Sequence, residues 1–186
     1  MKIFWHGKTC FEIESNGKTR EPISIIIDPI DKNYPTKDNH ILLLTHPCEY
    51  NKKEKAFTIS APGEYEVREV FIQGIPAKEQ KVIYLIKLNE FKICHLGTIL
   101  ESELSESALK EIGDVDILML PASEDDKTKI VNQIEPAVVI PMDYDNLDLF
   151  LKRMGEKQID PIDYYKGVKK NIEESEKTDI VILNKK

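Results

Sequence analysis

Cysteine is scarce in this sequence, and long apolar runs are missing. Three cysteines, an odd and sparse set, do not make a disulfide framework, so we expect reduced thiols in a cytoplasmic protein. The longest apolar runs, near residues 23–27 and 41–44, are far too short to span a bilayer. Residues 1–7 turn polar too early for a secretion signal, so we expect neither export nor membrane insertion. The cysteines are Cys10, Cys48 and Cys94.

An excess of positive charge is also lacking. The chain has 26 Lys and Arg against 33 Asp and Glu, a net charge of −7, which disfavours a nucleic-acid partner because phosphates need clustered cations. It contains no GxGxxG, no complete GxxxxGK[ST] phosphate loop and no CxxC pair, so the usual signals of nucleotide binding and paired-cysteine metal sites are missing. The stretch 164–170 is the densest in aromatic and basic residues, and we predict a sheet edge protected by lysines there.

Short apolar runs are what the sequence does contain, and they predict strands, the first two joined as a hairpin by a turn at Gly7-Lys8. Helical spacing predicts helices at 105–112, 123–134 and 147–154, the first capped by Ser105 and the last stopped by Gly155. We predict that His40 lies at the surface, that His95 points into the fold, and that Pro141 closes a strand. The predicted strands are 2–5, 10–14, 23–27, 40–44, 56–60, 65–67, 70–73, 82–88, 91–96, 115–120, 137–140 and 180–183.

Strands followed by alternating strands and helices imply packed sheets with helices outside, and the length suits one domain over residues 1–186. Several segments resemble a small subgroup of the metallo-β-lactamase superfamily, the predicted Zn-dependent hydrolases related to the ascorbate-lactonase group. The resemblance covers nearly the whole chain and implies a four-layer αββα sandwich. The segments are Trp5–Ile13, Ile25–Pro29, Leu43–Pro47, Pro62–Val67, Gly74–Pro76, His95–Gly97, Gly113–Leu118, Val131–Pro136 and Pro141–Met142.

The resemblance also implies where two metal ions would lie, because the family holds them with His and Asp on fixed loops. Of that motif His46 is kept, while the other positions are changed and residues 77–80 contain no His where one is expected. Tyr, Asn and Thr are poor zinc ligands and a lysine repels dications, so we expect a degenerate site without a metal cofactor. The replacements are Lys8, Cys48, Tyr50, Asn51, Thr98 and Asp143.

Three candidate metal ligands remain, His46, Cys48 and Asp143, and with water they would suit a mononuclear site holding one Zn. In the resembling family the Asp at the position of Asp28 supports the metal-binding loops through backbone hydrogen bonds, which predicts a structural role here. His46 and Cys48 could instead act as base and nucleophile, and Lys8 would then lower the pKa of the thiol if it lay nearby.

Three functions therefore compete. The first is a non-hydrolytic pseudoenzyme that binds a small ligand in the former metal pocket, or binds another protein. The second is a zinc-dependent hydrolase rebuilt on the three remaining ligands. The third is an interaction subunit of a homo-oligomer, which requires an exposed apolar patch.

Overall fold

Two β-sheets face each other in the computed structural model, which describes residues 1–16, 22–37, 39–48, 56–122, 126–173 and 177–186. The first sheet has the order β12-β1-β2-β3-β4-β5, with parallel pairs only between β3, β4 and β5. The strands of this sheet are β1 Lys2–Gly7, β2 Cys10–Asn16, β3 Pro22–Ile27, β4 His40–Leu43, β5 Phe57–Ile59 and β12 Tyr165–Lys166. The pairing of β1 with β2 is antiparallel, which confirms the predicted hairpin.

The second sheet has the order β13-β11-β10-β9-β8-β7-β6. Strands β6 to β9 form an antiparallel meander, and β9, β10, β11 and β13 run parallel. Parallel strands end at the same edge of a sheet, so the loops after β9, β10 and β11 lie together. The strands are β6 Gly63–Val67, β7 Val70–Pro76, β8 Val82–Leu88, β9 Phe91–His95, β10 Ile117–Pro121, β11 Val138–Met142 and β13 Asp179–Ile180.

Alternation along the strands decides which side chains fill the space between the sheets. Ile25 and Ile27 of β3 point into the central core, whereas Ile26 between them points to the opposite face. From the second sheet, Ile72 and Ile93 enter the same central core, which is therefore shared by both sheets.

Helices cover the outer face of the second sheet. They are α1 Glu106–Ile112, α2 Thr128–Ile134 and α3 Asp148–Arg153, with a short α4 Lys169–Glu173 further along. Ser105 caps α1 by accepting a hydrogen bond from the Ala108 N–H at 3.1 Å, as predicted. On the outer face of the first sheet, the described residues place Tyr34 of the 28–37 segment over Ile26 and Leu42. The predicted fold class, sheet on sheet with helices outside, is confirmed.

Three predictions about local structure were wrong. His40 is buried, with 7% exposed, because it opens β4, which has a strand on each side. Helix α2 begins at Thr128, because the Asp126 carboxylate accepts from the Thr128 N–H and hydroxyl and ends the preceding loop. The first predicted residues of that helix, 123–125, lie outside the described part.

Pro141 lies inside β11 and does not end it. The pairing of β11 with β13 stops at Val139. Because Pro141 lies beyond it, its missing N–H costs no hydrogen bond to a neighbouring strand on that side. Each predicted strand has a counterpart in the described residues, and β12 forms the predicted edge. No helix in the described residues is long and apolar enough to cross a bilayer.

Candidate functional site

Asp28 and Thr45 join the ends of the two parallel strands β3 and β4. Asp28 follows β3 with φ 46°, a left-handed conformation that Asp tolerates better than most residues. Its Oδ1 accepts from the Thr45 N–H at 2.7 Å, and its Oδ2 accepts from the Thr45 hydroxyl. Asp28 is only 5% exposed and Thr45 1%, so this pair is a buried link between two loops.

His95, the last residue of β9, ties the second sheet to the β1–β2 turn. Its Nε2 lies 3.0 Å from the Thr9 carbonyl oxygen, and its Nδ1 accepts from the Gly97 N–H at 3.1 Å. A carbonyl can only accept and an N–H can only donate, so these partners fix a neutral ring protonated at Nε2. Burial is the main reason that the pKa of His95 is lowered. The prediction that His95 points into the fold is confirmed.

Gly97 brings the second sheet against the first. Its φ of +60° suits glycine, and a Cβ built there would lie 2.7 Å from the Cβ and Oγ1 of Thr45. The loop after β9 therefore rests directly on the Thr45 that holds Asp28.

Trp5 links the end of β11 to the same region. Its indole N–H donates to the Lys8 carbonyl at 2.8 Å, and its ring stacks on Tyr144 at 5.2 Å between centroids. Tyr144 follows β11, so the ends of β3, β4, β9 and β11 meet at one end of the sandwich. Lys8 and Asp143 share with Asp28 a positive φ, 49° and 50°, which is a strained conformation that concentrates at functional sites.

The structure brings together two of the three predicted ligands. His46 and Cys48 line a cavity of about 260 Å³ with Asp28 and Lys8. The His46 Nδ1 lies 3.8 Å from Asp28 Oδ1 and 3.2 Å from the Thr45 hydroxyl. Asp143 lines a separate cavity of about 410 Å³ between the loop after β11 and α3.

The residues that the structure describes do not fit a pair of dications. Among them, no three His, Cys, Asp or Glu side chains lie together in a way that could hold a metal ion. Both oxygens of Asp28 are already engaged by Thr45, and Lys8 brings a positive charge to the cavity wall. Tyr50 and Asn51, two of the replaced positions, lie outside the described residues.

The other replaced positions carry no imidazole. Thr98 is half-buried, and its carbonyl oxygen lies 3.5 Å from the Lys81 ammonium. Residues Lys78–Gln80, where a His was expected, form a 3-10 turn that contains Glu79. The part of His46, Cys48 and Asp143 in metal binding, and of Asp28 in supporting it, stays a prediction.

Cys48 does not have the environment of an activated nucleophile. Burial first, and then the Asp28 charge, raises its pKa, which is opposite to the effect expected from Lys8. No hydrogen bond joins Cys48 to His46 in the described part of the chain.

Sequence reasoning missed Thr45 and Gly97 as framework residues of the site. It assigned Asp28 to backbone hydrogen bonds, whereas Asp28 also binds the Thr45 hydroxyl. The sequence shows the Asp-Pro and Thr-His-Pro segments at two strand ends. It does not show that these two strands, β3 and β4, pair in parallel and so bring the segments together.

Comparison with known proteins agrees with this architecture. Residues 2–143 match the beta-lactamase superfamily domain. A UPF0173 protein of Pyrococcus abyssi is 28% identical over 184 aligned positions, covering 77% of this chain and 83% of that protein.

Solved structures share the fold over almost the full length. One, from Thermotoga maritima and provisionally assigned as a Zn-dependent hydrolase of the metallo-β-lactamase superfamily, has a TM-score of 0.80 at 23% identity, covering 98% of this chain and 97% of that one. Another, the metallo hydrolase Igni18 of Ignicoccus hospitalis, has a TM-score of 0.58 at 16% identity, covering 98% and 94%. With the family match over residues 2–143, these likenesses lead to one conclusion: the chain belongs to the beta-lactamase superfamily and has the metallo-β-lactamase fold.

Proposed function

We propose that this chain is a non-hydrolytic member of its superfamily, which keeps the fold and binds a small ligand where relatives would hold metal ions. The proposal places it in the cytoplasm, in keeping with its free thiols. The observation that carries the proposal is the donor set around Asp28, which contains a lysine and too few free imidazoles and carboxylates for two dications.

Electrostatics supports this proposal. A site for two dications must gather negative charge or neutral imidazoles, whereas in this cavity the charges of Lys8 and Lys32 offset those of Asp28 and Asp31. Asp28, which is buried, already uses its two oxygens to accept from Thr45. In the chemistry of the superfamily a metal lowers the pKa of the attacking water, and the described residues do not group the ligands that would hold one.

The framework of the site also supports binding without metals. Hydrogen bonds from Thr45 to Asp28, and between His95, Thr9 and Gly97, hold the loops together through the protein's own groups. Loops positioned in this way by protein groups can stay in place for ligand binding after metal ligands are lost.

Elemental analysis of protein purified without chelator, before and after dialysis against zinc, tests the proposal. We expect zinc well below one ion per chain and no hydrolysis of lactone, ester or phosphodiester substrates. One or two bound ions per chain, or turnover that a chelator abolishes, would contradict it.

A mononuclear zinc hydrolase is the alternative, favoured by the shared cavity of His46 and Cys48. It requires one zinc per chain, and loss of both zinc and turnover in Cys48→Ala. Our proposal expects the metal content of Cys48→Ala to equal that of the unchanged protein. Cys94→Ala, which alters a buried thiol of the helix-covered core, controls for a loss of folded protein.

A further inference from the structure

The cavity beside Asp28 offers charged groups that no other residue uses. It is bounded by the Lys8–Thr9 turn, the loop 28–32 after β3, and His46 with Cys48. We propose that this cavity, here called the Lys8 pocket, binds a small aliphatic carboxylate. The inference rests on the proposed function, because it makes Lys8 and Lys32, and not metal ions, the groups that meet the ligand's negative charge.

Two ammonium groups are available to the ligand. Lys8 and Lys32 both line the Lys8 pocket, both are exposed, and neither ammonium has an ion-pair or hydrogen-bond partner among the described residues. Lys81, by contrast, is engaged with Glu103 at 3.0 Å. A carboxylate placed between Lys8 and Lys32 would gain charge-assisted hydrogen bonds from donors that are otherwise only hydrated.

A hydroxyl lies deeper in the pocket. Thr9 is only 5% exposed and lines the cavity, and its hydroxyl has no hydrogen-bond partner among the described residues. The Thr9 hydroxyl is not among the fully buried unpaired polar atoms of the described residues, so water can reach it, and a ligand oxygen could take the place of that water. Thr9 could thus add a neutral donor to the two ammonium groups.

The acidic residues of the pocket set the charge of the ligand. Asp28 is engaged by Thr45, and Asp31 Oδ1 accepts from the Asn33 N–H at 2.8 Å. These bonds satisfy the carboxylates but leave their charge, so two lysines face two carboxylates. That balance accommodates one negative charge better than two, which favours a carboxylate over phosphate.

Size and surface indicate a short aliphatic acid. The cavity of about 260 Å³ has the volume of roughly nine water molecules, enough for a carboxylate and a few carbons. Ile30 and Pro29 border it, and Ile30 is 56% exposed. A short alkyl chain lying on Ile30 would cover that exposed side chain while its carboxylate meets the lysines.

Isothermal titration with acetate, propionate, butyrate and valerate tests the proposal, with the matching amides and inorganic phosphate as comparisons. We expect saturable binding of a carboxylate, none of its amide, and weaker binding of phosphate. Added NaCl should lower the affinity. Lys8→Gln and Lys32→Gln should each weaken binding about tenfold, the effect of losing about 1.4 kcal/mol of a charged contact. Lys157→Gln makes the same charge change at an exposed lysine outside the pocket and should leave affinity unchanged.

Equal binding of acid and amide would overturn the proposal, as would tighter binding of phosphate or unchanged affinity in both pocket variants. Circular dichroism of each variant separates lost binding from lost structure, and both lysines are exposed, so folding should persist. Zinc analysis of the same sample distinguishes the two ideas. Zinc-free protein that binds no carboxylate overturns only this inference, whereas stoichiometric zinc overturns the proposed function.

Discussion

Thr45 donates both its backbone N–H and its hydroxyl to the two carboxylate oxygens of Asp28. This arrangement joins the ends of β3 and β4 and leaves Asp28 in a left-handed conformation. Thr45 also lies so close to Gly97 of the other sheet that a Cβ built on Gly97 would come within 2.7 Å of its side chain. The pair therefore lies where both sheets meet.

Replacing Asp28 by Asn should destabilise the fold by roughly 1–3 kcal/mol, because the amide can accept only one of the two Thr45 bonds and turns an N–H toward a donor. Urea unfolding measures the change. Asp31→Asn is the matched control, since Asp31 is exposed and accepts from Asn33 alone, and it should change stability by less than about 0.5 kcal/mol. Similar losses in the two variants would mean that the Asp28–Thr45 pair is not a special link.

Replacing Gly97 by Ala should cost more than the backbone conformation alone explains. A positive φ costs a non-glycine residue about 1–2 kcal/mol, and the overlap with Thr45 adds roughly 1–3 kcal/mol. Gly155→Ala isolates the first term, because Gly155 has φ +81° and nothing within 4 Å of a built Cβ. Unfolding free energies of both variants give the difference. Equal losses would show that Thr45 moves aside without cost.

Local sequence patterns predicted the elements well and the site less well. The runs around Ile25 and Leu42 predicted buried strands, because alternation and apolar content report burial directly. The surface prediction for His40 failed because a strand's own sequence does not say whether neighbours flank it on both sides.

The site depends on contacts between residues far apart in the chain. No local pattern indicates that Gly97 rests on Thr45, or that Trp5 stacks on Tyr144. The grouping of Asp143 with His46 followed from a family pattern, whereas the Asp143 side chain lines a different cavity.

His95 should make the fold sensitive to acid below its ordinary pKa. Burial lowers the pKa of His95 beneath 6.5, so the unfolded chain binds this proton first as the pH falls. Stability is fully present above pH 6.5 and decreases below it, by up to about 1.4 kcal/mol per pH unit for one proton. The measurement is the unfolding free energy between pH 8 and pH 5.

His95→Gln keeps a donor for Thr9 and an acceptor for Gly97 but cannot titrate. It should be less stable at pH 8 and show a smaller loss toward pH 5, while His6, His40 and His46 remain in both proteins. The titration of Glu12 does not interfere with this comparison. Its hydrogen bond with His6 is the main reason that its pKa falls from 4.5 to about 2, so its stabilisation is lost only below pH 4.5. An unchanged slope in the variant would rule out His95 as the source.

Tyr84 supplies a polar link between the sheets beneath the site. Its hydroxyl, fully buried on β8, lies 3.0 Å from the carbonyl oxygens of Leu44 and Ile59 in the first sheet, which share its one proton. The Ile59 carbonyl also accepts from the Leu44 N–H at 2.9 Å. Loss of the Tyr84 hydroxyl therefore affects the Leu44 carbonyl more than the Ile59 carbonyl. Tyr84→Phe should lower the unfolding free energy by roughly 1–3 kcal/mol, because it leaves the Leu44 carbonyl without this donor in a dry environment.

Tyr65→Phe is the matched control for Tyr84→Phe. The Tyr65 hydroxyl also donates to a carbonyl, that of Ala61 at 3.0 Å, but it does so in an exposed position on the edge strand β6. Water replaces that bond, so the change in stability should stay within about 0.5 kcal/mol. Urea unfolding of both variants measures the loss of stability in the buried and in the exposed position. If the two losses are equal, water reaches the Leu44 carbonyl and Tyr84 does not hold the sheets together there.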